Sequence, residues 1–188
     1  MDLLYNTGYD ILGEGDNETV CGIFVSDCGI LYINDELQNN FDSAANLKSL
    51  LDIIGKINKT MIKDDFMLTT SISYGEFKYQ DRIVIPKVAK SAVYGGAYIK
   101  AYSDNDHGNP KIKPGQCRII MDGLPKEIWS EMEKSNIYHL MKMDGQHYYY
   151  YWMCQQSNDI EKFDSNYKKA YECRYRKLCS VLRQYNKI

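Results

Sequence analysis

The 188 residues include only 4 prolines and 3 histidines. With 44% hydrophobic and 26% charged residues, this composition excludes a disordered, collagen-like or low-complexity chain. No apolar run approaches the roughly 20 residues that a membrane span needs. The opening, MDLLYNTGYDILGEGDNE, lacks a basic flank before an apolar core. A secretory signal is not expected there, and the cytoplasm is the expected compartment. The six cysteines (Cys21, Cys28, Cys117, Cys154, Cys173, Cys179) form no Cys-x-x-Cys pair, and His107, His139 and His147 are scattered. A structural zinc site needs four converging ligands, usually in close pairs, so reduced cysteines serving as small apolar residues fit better. No Ser-His-Asp or Cys-His constellation, Walker sequence or Rossmann fingerprint stands out. A net charge of −2 leaves no footprint for bulk nucleic-acid binding.

What is present fits one domain over residues 1–188. Charge is uneven: residues 1–95 hold 8 Lys and Arg against 14 Asp and Glu, and the remainder 15 against 11. Tyrosine is abundant at 17. Residues 1–19 carry a weak helical pattern broken by Gly8, Gly13 and Gly15. VCGIFVSDCGILYI (20–33) places two β-rich apolar runs around Ser26-Asp27, the pattern of a hairpin. Both runs are nearly all apolar, so the hairpin is expected in the middle of a sheet. From Asn39 to Lys63, Leu47, Leu50, Leu51, Ile54, Ile57 and Met61 recur at helical steps. FMLTTSISYGEFKY predicts a strand ending near Gly75-Glu76. DRIVIPKVAK, interrupted by Pro86, predicts a short strand and turn leading into a loop. SAVYGGAYIKAYSDND predicts a helix with Gly95 and Gly96 at its start, and HGNPKIKPGQ a loop. CRIIMDG predicts a strand, and LPKEIWSEMEKSN a helix with Pro125 in its first turn. Asp144-Gly145 centres a second hairpin. Phe163 to Tyr185 predicts one helix with Tyr167, Ala170, Tyr171, Leu178, Val181 and Leu182 inward. Mixed hairpins and crossovers imply an α+β fold of mixed strands with helices mainly on one face.

Asp27 is the first candidate for chemistry. A carboxylate between apolar strands is costly to bury, and a turn would expose it. Mg²⁺ favours one or two carboxylates plus phosphate oxygens, so Asp27 could serve as a metal ligand. Gly95 and Gly96 could let helix amides approach a phosphate, or simply permit close packing. Lys100, Arg118, Lys168, Lys169, Arg174 and Arg176 could neutralise phosphate, or form a solvated face. In YYYYW, alternation puts Tyr148, Tyr150 and Trp152 on one face, either a base-stacking platform or a surface packed under a helix.

In order, IFVSDCGILYI, a long amphipathic helix, TSISYGEF, VYGGAYIKAY and CRIIM resemble the catalytic domain of class III nucleotidyl cyclases. They are more similar to the minimal bacterial cyclases of the Pycsar antiphage systems, which make cyclic UMP or cyclic CMP. In those the hairpin commonly reads FSDSI, and phrases like GxIxxGE and GpAxxxAYxLE follow. The resemblance covers residues 20 to 121. It implies a ferredoxin-like palm sheet and a head-to-tail homodimer with active sites in the interface. It also implies two Mg²⁺ or Mn²⁺ ions held by two aspartates, and a nucleoside triphosphate substrate. A cyclic-nucleotide-sensing effector would read the product, with no membrane or nucleic-acid partner. Asp27 matches the second metal aspartate. The implied base pocket lies around Ile23, Phe24 and Tyr94, with Gly95 and Gly96 near the substrate and Lys168, Lys169 and Arg174 toward the triphosphate.

Three departures qualify the match. The other metal aspartate belongs to an earlier strand with a phrase like FxDxxGF. Tyr9-Asp10-Ile11-Leu12-Gly13 echoes that phrase, which makes Asp10 the candidate, but only 16 residues separate Asp10 from Asp27. A helix of ordinary length alone takes about 11 residues. The family's first strand is therefore expected to be missing from these residues. The transition-state Asn and Arg of adenylate and guanylate cyclases fall at Ile99 and Ser103, and the adenine-reading pair at Ile23 and Ala92. The expectation is a pyrimidine cyclase using UTP or CTP. The alternative is a catalytically silent cyclase-like domain for nucleotide binding or dimerisation. An RNA-binding ferredoxin-like module, suggested by the tyrosines and basic tail, lacks its aromatic-glycine strand phrase.

Overall fold

The computed structural model describes residues 2–13, 19–25, 27–34, 43–85, 88–173 and 175–186. In chain order the elements are α1 (Asp2–Gly13), β1 (Val20–Val25), β2 (Cys28–Ile33), α2 (Ser43–Met61), β3 (Thr70–Ile72), β4 (Lys78–Ile85), β5 (Val88–Tyr94), α3 (Gly96–His107), β6 (Cys117–Ile120), α4 (Lys126–Met132), β7 (Met141–Asp144), β8 (His147–Tyr150), α5 (Asn158–Cys173) and α6 (Tyr175–Tyr185). The fold is α+β. A four-stranded mixed sheet has the order β3-β6-β8-β7, with β3 parallel to β6 and the other pairs antiparallel. The hairpins β1-β2 and β4-β5 each form a two-stranded antiparallel sheet. Among the described residues no helix is long and apolar enough to cross a membrane.

Helix α2 anchors the core. Its apolar stripe, Leu47, Leu50, Leu51, Ile54, Ile57 and Met61, is buried as its spacing predicts. Each such side chain contributes about 1.5–3 kcal/mol on burial. Gly55 in this helix lets the sheet close beneath it: a Cβ there would lie 3.1 Å from the Tyr150 hydroxyl. Strand β6 runs through the centre, buried at all four positions because strands flank it on both sides. Trp152 closes the core, and its indole N–H donates to the Gly115 carbonyl at 2.8 Å.

Several elements depart from the sequence expectation. The hairpin at 20–33 forms with Asp27 at its turn, but it is a separate sheet, not the middle of one. Its apolar residues are covered by helices instead of by flanking strands: Leu4 of α1 and Val20 join the core around α2, and Phe24 lies against Gly8 of α1. The weak pattern at 1–19 becomes a full helix, α1, running through Gly8. Strand β3 ends at Ile72, short of Gly75. In DRIVIPKVAK the short strand is there, but the loop expected after the turn is a strand instead: β5 pairs with β4, from Ile85 with Val88 back to Lys78 with Tyr94. The tail is two helices, beginning at Asn158, and Tyr171 is 47% exposed instead of inward. Tyr148, Tyr150 and Trp152 take the packing role and not the stacking-platform role. Tyr148 lies on Trp129 of α4 at 4.0 Å between ring centroids, Tyr150 lies under α2, and Trp152 is in the core.

Candidate functional site

A cleft of about 970 Å³ opens between β2 and α2 on one side and β3 and α3 on the other. Asp27, in the hairpin turn, stands exposed at its rim. Ser71, Ser73, Gly75, Glu76 and Lys78 line it from β3 and the segment that follows, and Tyr98, Tyr102 and Asn105 line it from α3. Its depth is apolar, built from Leu47, Leu50, Ile54 and Ile57 of α2 with Ile72 and Ile119. Lys78 is the one cation lining it among the described residues, and it is held by Glu76 at 2.6 Å.

The start of α3 explains its glycines. Gly95 has φ 125, and a Cβ there would lie 2.3 Å from the Glu76 carbonyl oxygen. That contact is fixed by the Ala97 N–H, which donates to the same oxygen at 3.0 Å, while the Ser73 hydroxyl donates to the Ala97 carbonyl at 2.5 Å. Gly95 therefore serves close packing, whereas a Cβ on Gly96 would meet nothing within 4 Å, which leaves room beside the helix start. Gly95→Ala is expected to destabilise the protein by more than about 1 kcal/mol, through positive φ and backbone overlap together. Gly96→Ala is expected to be close to neutral. Urea unfolding of the two variants side by side checks this, and equal losses would contradict it.

Behind the cleft lies a buried polar network. Arg118 of β6 is fully buried. It grips Asp104 of α3 with a two-pronged contact, Nε to Oδ2 and Nη2 to Oδ1, both at 2.8 Å. Its remaining donors reach the Asp104 carbonyl at 3.0 Å, the Pro110 carbonyl at 2.6 Å and the Tyr149 hydroxyl at 3.3 Å. Ser71 also donates to Asp104, and His147 Nε2 lies 3.1 Å from Asp104 Oδ1. Burial favours the neutral acid, but the hydrogen bonds from Arg118 and Ser71 and the charges of Arg118 and His147 outweigh it. They hold the Asp104 carboxyl below its ordinary value. His147 Nδ1 is buried with no partner among the described residues. The network ties α3 to β3, β6 and β8, so the cleft wall is fixed from behind.

The sequence-predicted residues divide as follows. Asp27 and Phe24 line the cleft. Ile23 is half-buried in β1, Tyr94 is 47% exposed at the end of β5, and neither lines the cleft. Asp10 is exposed on α1, outside the cleft lining. Lys168 and Lys169 are exposed on α5, also away from it. Arg174 lies outside the described residues. Lys100 pairs with Asp122 at 2.6 Å, and Arg118 is internal, so neither is a free phosphate ligand. Among the described residues no group of three His, Cys, Asp or Glu side chains is placed to hold a metal ion. The Asp104–His147 pairing was missed from sequence. One signal for the network was present: Arg118 interrupts the apolar run CRIIM, the same charge-among-apolar pattern that singles out Asp27.

No protein family, curated protein or solved structure matches the chain.

Proposed function

We propose that this chain is a nucleotide cyclase. It would convert a ribonucleoside triphosphate, UTP or CTP, to the 3′,5′-cyclic monophosphate and pyrophosphate. In this reading it works as a head-to-tail homodimer of palm-type domains in antiphage signalling, and an effector senses the product. The observation that supports it most is Asp27: a carboxylate in a hairpin turn, exposed at the rim of the cleft. Overall, the ribose 3′ oxygen bonds to the α-phosphorus, the bond to pyrophosphate breaks, and the 3′ hydroxyl loses its proton.

The donor set suits one divalent ion better than two. Asp27 with phosphate oxygens meets the ordinary demand of Mg²⁺. A pair of ions needs a second carboxylate. Among the described residues the other carboxylate lining the cleft, Glu76, is engaged by Lys78, and Asp10 lies outside the lining. That mismatch favours a second reading, a cyclase-like domain that binds a nucleotide without turnover.

Incubation with each of the four ribonucleoside triphosphates and Mn²⁺ or Mg²⁺, with products resolved by mass spectrometry, separates the two. Cyclic UMP or cyclic CMP supports the first reading. Calorimetric binding of a non-hydrolysable triphosphate without any cyclic product supports the second, and no binding at all sinks both.

A further inference from the structure

A triphosphate carries several negative charges, and a site for it needs a cation within reach. The lysines singled out by sequence do not supply one. Lys168 and Lys169 lie on α5 away from the cleft, and Lys100 is outside its lining and held by Asp122. Among the described residues Lys78 is the one lysine or arginine that borders the cleft.

The backbone on either side of its ion pair is fixed. Lys78 opens β4 and pairs with Tyr94 of β5. The Glu76 carbonyl accepts from the Ala97 N–H at 3.0 Å, and Gly95 packs so closely that a Cβ there would lie 2.3 Å from the same oxygen. Phe77, between Glu76 and Lys78, stacks on Tyr32 of β2 at 4.6 Å between ring centroids. The charged side chains themselves are open. Lys78 Nζ meets Glu76 Oε1 at 2.6 Å, with the two side chains 56% and 64% exposed. An anion can therefore reach the ammonium without any shift of the backbone.

An exposed ion pair of this kind is weak, because water and salt screen it and two long side chains must be held in one geometry. A phosphate offers the same ammonium more charge and several acceptor oxygens. We propose that Lys78 is the phosphate ligand of the cleft and that Glu76 is the counter-ion from which a triphosphate takes it. The ammonium changes partner, from the Glu76 carboxylate to the outer phosphates that leave as pyrophosphate. The assignment rests on the nucleotide reading and puts the triphosphate contact at Lys78 and not at Lys168 and Lys169. It also gives two neighbouring residues opposite signs: Lys78 favours the ligand, and Glu76 competes with it for the same ammonium.

The test is calorimetric titration of non-hydrolysable UTP and CTP analogues, with Mg²⁺, into the full chain, Lys78→Gln, Glu76→Gln and the double variant. Both side chains are exposed, so the substitutions leave the fold intact. Lys78→Gln is expected to weaken binding by about tenfold or more, the usual worth of a hydrogen bond to a charged group. Glu76→Gln is expected to tighten it by about two- to fivefold, the scale of a surface ion pair. That gain should vanish in the double variant, because it acts through Lys78. Unchanged affinity in Lys78→Gln, unchanged or weaker binding in Glu76→Gln, or a gain that persists in the double variant overturns the proposal and leaves the nucleotide reading standing. Absence of binding to the native protein overturns both.

Discussion

Arg118→Ala is expected to lower stability by about 3–5 kcal/mol, the usual cost of removing one member of a buried ion pair. The reason is what remains. The Asp104 side chain is 10% exposed and would keep its charge in a poorly solvated site, with Ser71 and His147 as its remaining partners. The effect should exceed anything that loss of packing alone explains, because replacing both members (Arg118→Met with Asp104→Leu) removes the stranded charge and should recover a large part of it. The pH dependence gives a second readout. In the native protein the Asp104 carboxyl is held below its ordinary value, so its contribution is fully present above about pH 4 and fades as pH falls through its lowered native value. Without Arg118 burial dominates, and the native value rises above the unfolded one. The carboxylate then costs stability as pH climbs. The gap between native protein and Arg118→Ala should therefore narrow as pH is lowered from 7 toward about 4. Urea unfolding at both pH values measures it, and a gap that stays constant or widens toward acid would contradict the network's role.

Asp27→Asn is expected to act oppositely, with large effects on activity and little on stability. Asp27 is exposed in a turn, where a substitution ordinarily changes stability by no more than about 0.5 kcal/mol. Asparagine keeps the shape and removes the charge that would hold a cation against a triphosphate. If Asp27 binds the ion directly, turnover should fall by more than the 10–100-fold typical of groups that merely support a metal ligand, so by more than about 100-fold. Cyclic-product formation and a thermal melt on the same preparation check both halves. Full activity in Asp27→Asn removes the metal assignment, and a collapsed melt would show that Asp27 is structural.

The parts of the fold read correctly from sequence share a cause. The long helix, the hairpin around Asp27, the helix starting at Gly96 and the hairpin at Asp144-Gly145 are written locally, in apolar spacing and turn residues. What sequence left hidden depends on partners far along the chain. The apolar runs of β1 and β2 look like a sheet's interior, but their spacing does not say whether strands or helices cover them, and here α1 and α2 do. Pro86 signalled a break, yet a break between two paired strands and a break into a loop look alike locally. At the candidate site, Asp27 was legible because a charge between apolar runs needs a reason. Arg118 carried the same mark, but its partner Asp104 sits 14 residues away and His147 a further 29 beyond Arg118, so no local pattern announced the network.

The most direct test of the nucleotide reading places the cation. Mn²⁺ titrated into isotope-labelled protein with a non-hydrolysable UTP or CTP analogue broadens the NMR signals of nearby amides. Strongest broadening is expected around the hairpin turn at Asp27 and Cys28, dependent on the nucleotide and lost in Asp27→Asn. Broadening centred elsewhere, or unchanged in Asp27→Asn, would contradict the account.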